Sequence, residues 1–170
     1  MEMDTDTGKE AEIARKFWKA LKSDRVTLLA LEGVEEGQSQ PMSAQLLEED
    51  EDRGGPVWFF TSKDTDFARQ TGASHRAMMH FSAKGHELFA AVHGTLSAVD
   101  DAAVIDRLWN PFVAAWFEGR NDPKIRLLRF DAEHGQIWLN ENSMLAGVRM
   151  LLGRDPKRDY RDKVADVRLR

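Results

Sequence analysis

Chemistry-bearing side chains concentrate in two short stretches. The first is Thr61-Ser62-Lys63-Asp64-Thr65, which follows the apolar run 57–60 and enters a short helical pattern. Its hydroxyls, its free backbone amides and the positive end of a helix make a seat for a phosphate group, with Lys63 adding charge. The same residues read equally as a capped turn. Asp64 is a good N-cap, and Asp64 and Asp66 repel any phosphate they face. The second stretch is Trp109-Asn110-Pro111, followed by Trp116. Asn110 is placed to cap a helix whose first position is Pro111. Trp109 stands where a staple residue closes the helix entry, and Trp116 shares a helical face with Phe112. The two indoles read either as core packing or as walls that stack on, or close over, a planar heterocycle.

Other chemistries are excluded or unsupported. The chain has no cysteine, so disulfides, thiolate metal sites, iron–sulfur ligation and a cysteine nucleophile are ruled out. There is no Gly-x-Gly-x-x-Gly, no phosphate-loop Lys motif, no Gly-x-Ser-x-Gly and no His-Glu-x-x-His. None of His75, His80, His86, His93 and His134 stands at metal-ligand spacing on a helix, so no metal site is expected. The acidic run at the start of 48–55 reads as a solvated hairpin tip rather than a cation site. No catalytic acid, base or nucleophile is assigned.

The elements that must position these residues follow from periodicity. Residues 1–8 are polar and expected to be disordered. From Lys9 the pattern is helical, with Ile13, Ala14, Phe17, Trp18 and Leu21 on one stripe. Strands are expected over 26–31, 40–47, 57–60, 76–82, 87–99, 125–130 and 136–140, with turns at 33–37, 84–85 and 131–135. Pro41 is admissible in its strand only where its missing amide is not needed. Short helices are expected near 65–71, from a cap at Asp100 or Asp101 to Leu108, over 111–117, and over 143–152, the last stopped by Gly153. The connections are hairpins rather than strand–helix alternations. The fold class is therefore mainly β or α+β, a mostly antiparallel sheet or barrel with flanking helices, and not a doubly wound nucleotide fold. Three segments are expected: the N-terminus 1–8, a single domain 9–153, and a charged, peripheral C-terminal tail 154–170.

The chain of 170 residues is long enough to bury its own core. It has 24 basic and 29 acidic residues, a net charge of −5 and a pI near 5.6. That balance argues against nucleic acid and anionic membranes as partners. With a mean hydropathy of −0.52, no membrane-length apolar run and no signal-peptide pattern, a cytoplasmic protein is expected. Five tryptophans stand against one tyrosine. Trp18, Trp58 and Trp138 read as core or helix packing.

Read in order, Phe17-Trp18-Lys19-Ala20-Leu21, Gln40-Pro41-Met42, Val57-Trp58-Phe59-Phe60-Thr61-Ser62, Val92-His93-Gly94, Leu108-Trp109-Asn110-Pro111 and Ala115-Trp116-Phe117 form a pattern. It resembles the general stress protein branch of the FMN-binding split barrels, relatives of pyridoxamine 5′-phosphate oxidase, over residues 10–152. The resemblance implies a six-stranded antiparallel split β-barrel with flanking helices. It also implies a homodimer with FMN sites at the subunit interface, acting as a flavin-dependent oxidoreductase on a small molecule or as a non-catalytic dimer that binds flavin, or another flat cofactor, for storage or stress sensing. By position, Met42, Ser43 and Gln45 would border the isoalloxazine ring. Phe60, Thr61, Ser62 and Thr65 would line the ribityl phosphate end, and Trp109 and Trp116 would cover the ring from the partner subunit. Gln40 and Phe67 occupy positions where the family carries Arg and Lys as phosphate partners, so the charge-assisted contacts weaken there. Lys63, Arg69 and Lys84 are the candidate replacements. Residues 88–92 lack the Arg and Gln of the oxidase's strand motif, which counts against pyridoxamine phosphate as substrate.

Overall fold

A computed structural model describes residues 3–34, 39–50, 54–140 and 164–169. Helix α1 (Met3–Ser23) leads into strands β1 (Val26–Leu31), β2 (Gln40–Ser43) and β3 (Val57–Ser62). Then come α2 (Asp66–Thr71), β4 (Ser74–Ser82), β5 (Leu88–Val99), α3 (Ala102–Leu108), α4 (Pro111–Ala114), β6 (Ile125–Leu139) and β7 (Val164–Arg168). The helix expected over 143–152 lies outside the described residues, as does most of the turn over 33–37.

All pairings are antiparallel, in the order β2-β1-β4-β5-β6-β3, with β7 also on β6. The path closes on itself just after β2. Gln45 N–H donates to Trp58 O and Trp58 N–H to Gln45 O, each at 2.8 Å. The fold is the split β-barrel, with six strands on the closed path and a seventh beside it among the described residues.

The core follows from alternation. On β3, Val57 and Phe59 are fully buried inside the barrel with Leu128 and Phe130 of β6. α1 contributes Ile13, Phe17, Trp18 and Leu21, a stripe at helical spacing, to the same core. The Phe17 ring lies 5.0 Å from Trp18 and meets Phe81 edge-on at 6.2 Å. The alternate side of β3 is buried too. Trp58 packs outside the barrel with Leu108 of α3 and Leu127 of β6, and Phe60 leans on that cluster. The continuous apolar run at 57–60 is thus a strand covered on both faces.

Several expectations change: the helix expected over 111–117 stops at Ala114, and the strand expected over 57–60 runs on to Ser62. Helix α1 reaches back to Met3, through residues expected to be disordered. The strand expected over 40–47 stops at Ser43, and only Gln45 pairs again, as an isolated bridge. The two strands expected at 125–130 and 136–140 are one, because a register shift opposite His93 and Gly94 absorbs the apparent turn. The C-terminal tail is partly integral: β7 pairs along His134–Trp138, and Val167 is buried. β7 and β3 share one edge of β6, since β5 occupies the whole of the other.

Gly94 sits at that irregularity. A Cβ there would lie 2.3 Å from the backbone oxygen of Asp131 and 2.8 Å from the Phe130 ring. Neither the paired strand nor the core ring can yield cheaply. Gly94→Ala is expected to destabilise by about 1–3 kcal/mol, a fall in Tm of roughly 2–10 °C. Gly135→Ala, whose new methyl meets its neighbours at 3.1 Å or more, is expected to cost clearly less. Thermal unfolding followed by circular dichroism compares them; equal melting points for Gly94→Ala and the parent would show that the approach relaxes freely.

Candidate functional site

The seam that closes the barrel is short. Continuing the antiparallel register from Gln45 and Trp58 would set Ser43 opposite Phe60 and Pro41 opposite Ser62. Those pairs do not form. The strands part, and a cavity of about 420 Å³ opens between β2 and the end of β3, with α4 and the residues after it as a third wall. Hydrogen-bond alternation explains why β2 tolerates this. Ala44 N–H reaches back to Arg25 O, and Gln45 N–H points forward to β3. By that alternation Pro41, opposite Leu28, is a non-hydrogen-bonded partner of β1. Its missing amide falls on the cavity side, where no ladder exists to lose a donor. The Thr27 hydroxyl donates to Met42 O at 2.8 Å and fixes the β2 edge from behind.

Gln45 is the hub of the site. It is 4% exposed, so its amide must be satisfied internally. Its Nε2 donates to Ser43 Oγ at 3.2 Å, and its Oε1 accepts from Asn110 Nδ2 at 3.0 Å. Asn110 in turn accepts the Phe112 and Val113 N–H groups at 3.0 Å, capping α4. One buried amide therefore ties the barrel seam to the helix that walls the cavity. Beyond α4, Asp122 accepts the Glu118 and Lys124 N–H groups, which hold its carboxyl below the usual carboxylate range and brace the return to β6.

At the other end lies the hydroxyl cluster. Thr61 Oγ1 and Thr65 Oγ1 are 3.3 Å apart. Thr65 Oγ1 donates to Ser62 O and accepts from Ala68 N–H, so Thr65, not Asp64, is the N-cap of α2. Ser62 Oγ accepts from Asp64 N–H at 3.3 Å. Asp66 is neutralised by Arg69, which also donates to Asp64 O at 2.8 Å. The capped turn and the hydroxyl-lined wall are the same structure.

Of the residues singled out in the sequence, Gln40, Met42, Ser43, Gln45, Phe60, Thr61, Ser62, Thr65 and Trp116 come together on this cavity. Phe67 does not; its ring is buried in the barrel core and anchors α2. Trp109 does not line it either. As the C-cap of α3 its ring turns onto Phe60, edge-on at 6.3 Å, and so supports a wall residue from behind. Val26, Pro41, Phe112, Val113 and Phe117 also line the cavity. Phe112 shares a face with Trp116 in the sequence, and that signal pointed to it. Trp116 is 75% exposed, Phe112 60% and Val26 63%, so the rim offers large apolar surface to whatever covers it. No ionisable side chain lines the cavity among the described residues. The site can grip a flat apolar body and donate neutral hydrogen bonds; it holds no acid or base of its own.

Comparison with known proteins agrees with this fold. A family model described as "Pyridoxamine 5′-phosphate oxidase like" matches residues 12–155. A general stress FMN/FAD binding protein from Xanthomonas citri is 54% identical, with a TM-score of 0.72 over 78% of this chain and 92% of that one. A general stress family protein from Xanthomonas campestris pv. campestris is 55% identical, TM-score 0.71, over 78% and 90%. A protein from Jannaschia sp. CCS1 described as a general stress protein 26 is 30% identical, TM-score 0.73, over 93% and 99%. No curated protein matches.

Asn110→Ala removes the α4 cap and the donor to buried Gln45 together, and is expected to cost about 1–3 kcal/mol of stability. Asn110→Asp keeps the cap but loses the donor, leaving two acceptors face to face. Chemical denaturation should rank both below the parent; a full recovery by Asn110→Asp would mean that the link to Gln45 contributes nothing.

Proposed function

The chain belongs to the general stress branch of the pyridoxamine 5′-phosphate oxidase-like family, and on that footing we propose that it binds FMN in the seam cavity as a homodimer. No helix among the described residues is long and apolar enough to cross a membrane, and we assign the protein to the cytoplasm. The observation that carries the proposal is the division of the cavity into an aromatic, apolar mouth and a hydroxyl-lined end. Those are the two halves of a flavin mononucleotide. Gln45, Met42 and Ser43 border the ring in this reading, and Thr61, Ser62 and Thr65 take the ribityl phosphate. Trp116, Phe112 and Val26 lie at the open rim, where a second copy of the chain would cover both them and the ring. Trp109 acts one step back, by holding Phe60.

Bound flavin supplies electron or hydride transfer between a reduced nicotinamide and a small acceptor. The chain's own contribution is orientation, exclusion of water and neutral hydrogen bonding. The charge-free lining also supports a second reading, in which the cavity holds flavin without turnover, as a store or stress sensor. Addition of reduced nicotinamide under anaerobic conditions separates the two. Bleaching of the flavin band supports the oxidoreductase; a flavin that stays oxidised with every donor supports the store.

The purified protein is expected to be yellow and to release a species of FMN mass on denaturation. Thr61→Ala with Thr65→Ala should weaken FMN binding by about tenfold or more. Trp116→Ala, at an exposed position, should weaken flavin binding with little change in the stability of the unliganded protein. A colourless protein that does not quench added FMN sinks the proposal. Unchanged FMN affinity in the double threonine variant would move the phosphate end elsewhere.

A further inference from the structure

A second cavity, of about 460 Å³, lies behind the Ser62–Thr65 turn. Its charged lining residues are Lys63, Arg69 and Arg126, with no carboxylate among the described residues. In a chain of net charge −5, three cations around one small cavity run against the average. Arg69 is committed to Asp66 and Asp64 O. Arg126 is not: its Nε–H is buried and has no acceptor. A buried donor left unpaired costs about 1–3 kcal/mol, and among the described residues none accepts from it, so it is open to a water or a ligand. The floor is small, formed by Gly72, Ala73 and Ala98 among others, which leaves room for a ligand against the backbone.

The location ties this cavity to the seam. Arg126 is the register partner of Thr61, and side chains directly opposite on paired strands share a face. Lys63 lies between Ser62 and Thr65, both of which line the seam cavity. The geometry points to a phosphate-binding site centred on the Arg126 guanidinium, with Lys63 as second cation. A planar guanidinium fork suits two phosphate oxygens at once. The phosphate is either that of the flavin reaching past Thr61, a case that rests on the flavin reading, or that of a separate phosphate ligand.

Binding of pyrophosphate, FMN and riboflavin to the full-length protein tests this, by calorimetry for the first and fluorescence quenching for the flavins. Arg126→Gln should weaken pyrophosphate binding by about tenfold, and Lys63→Gln by a smaller factor. If FMN affinity falls with it while riboflavin affinity holds, the site takes the flavin's phosphate. If both flavins are unaffected while pyrophosphate binding is lost, the site serves a separate phosphate ligand. The proposal is overturned if wild-type protein binds no pyrophosphate and Arg126→Gln lowers FMN no more than riboflavin, or if Arg126→Lys and Arg126→Gln both match wild type for every probe. A parent that binds pyrophosphate but neither flavin would remove the flavin reading and leave this one standing.

Discussion

The molecule turns on two backbone hydrogen bonds between Gln45 and Trp58. Among the described residues they are the ladder pairing that closes the sheet path. One residue pair is enough to make a barrel of the sheet, and too little to zip the seam. Beyond it β2 and β3 diverge, and their side chains line a cavity instead of facing one another. A longer ladder would fill the site with cross-strand pairs; no ladder would leave both edges open to solvent and to other chains. Pro41 keeps the balance from one side, since it has no amide to extend the pairing. Gln45 keeps it from the other, because its side chain is buried and bound to Ser43 and Asn110, so the pair cannot slide without breaking a satisfied network.

What was legible in the sequence is what local chemistry decides. Asp101 and Asn110 cap α3 and α4 because a short acceptor before a helix satisfies amides two and three residues on, whatever the rest of the chain does. The continuous apolar run of β3 announced burial on both faces. The resemblance collected nine of eleven site candidates onto one cavity. The losses have physical reasons. His134-Gly135 looks like a turn because Gly usually breaks a strand; here Gly135 faces Val92 closely, and the irregularity lies upstream near Gly94. β7 was hidden because one face of it is charged, with Asp166 and Arg168 alternating around buried Val167, and its partner β6 is far away in sequence. Within its own chain Trp109 stands one step behind the cavity, because a C-cap in extended conformation turns the ring onto Phe60 rather than into the opening.

The absence of charge from the seam lining among the described residues shapes what the site can do. Charged pairs do exist elsewhere, such as Glu49 with Arg107 at 2.6 Å and Asp66 with Arg69, but they are solvent-exposed and satisfy each other. Such exposed pairs contribute little stability and project little field into an apolar groove. A cavity built this way orients a ligand by shape and neutral donors, and leaves reactivity to the ligand. That also bears on the aromatic rim: Trp116 and Phe112 cost solubility as exposed rings, and a partner or a flat ligand that covers them recovers that cost as binding.

Phe67 shows why the charge for a phosphate cannot come from its position in this chain. The residue is 3% exposed and packs in the barrel core beneath α2. An amine there would have to be desolvated without an acid nearby, or the side chain would have to withdraw and leave a void under the helix. The ring is worth more to α2 than a cation would be, because α2 is only six residues long and depends on Phe67, Ala68 and Thr71 for its anchorage. A compensating cation must therefore reach the turn from another element. β6 offers one: its register places position 126 opposite Thr61. An arginine stem can run along the apolar interior and keep its head at the barrel mouth. Phe67 thus anchors the short helix from the core, and Arg126 brings a positive charge to the cavity behind the same turn.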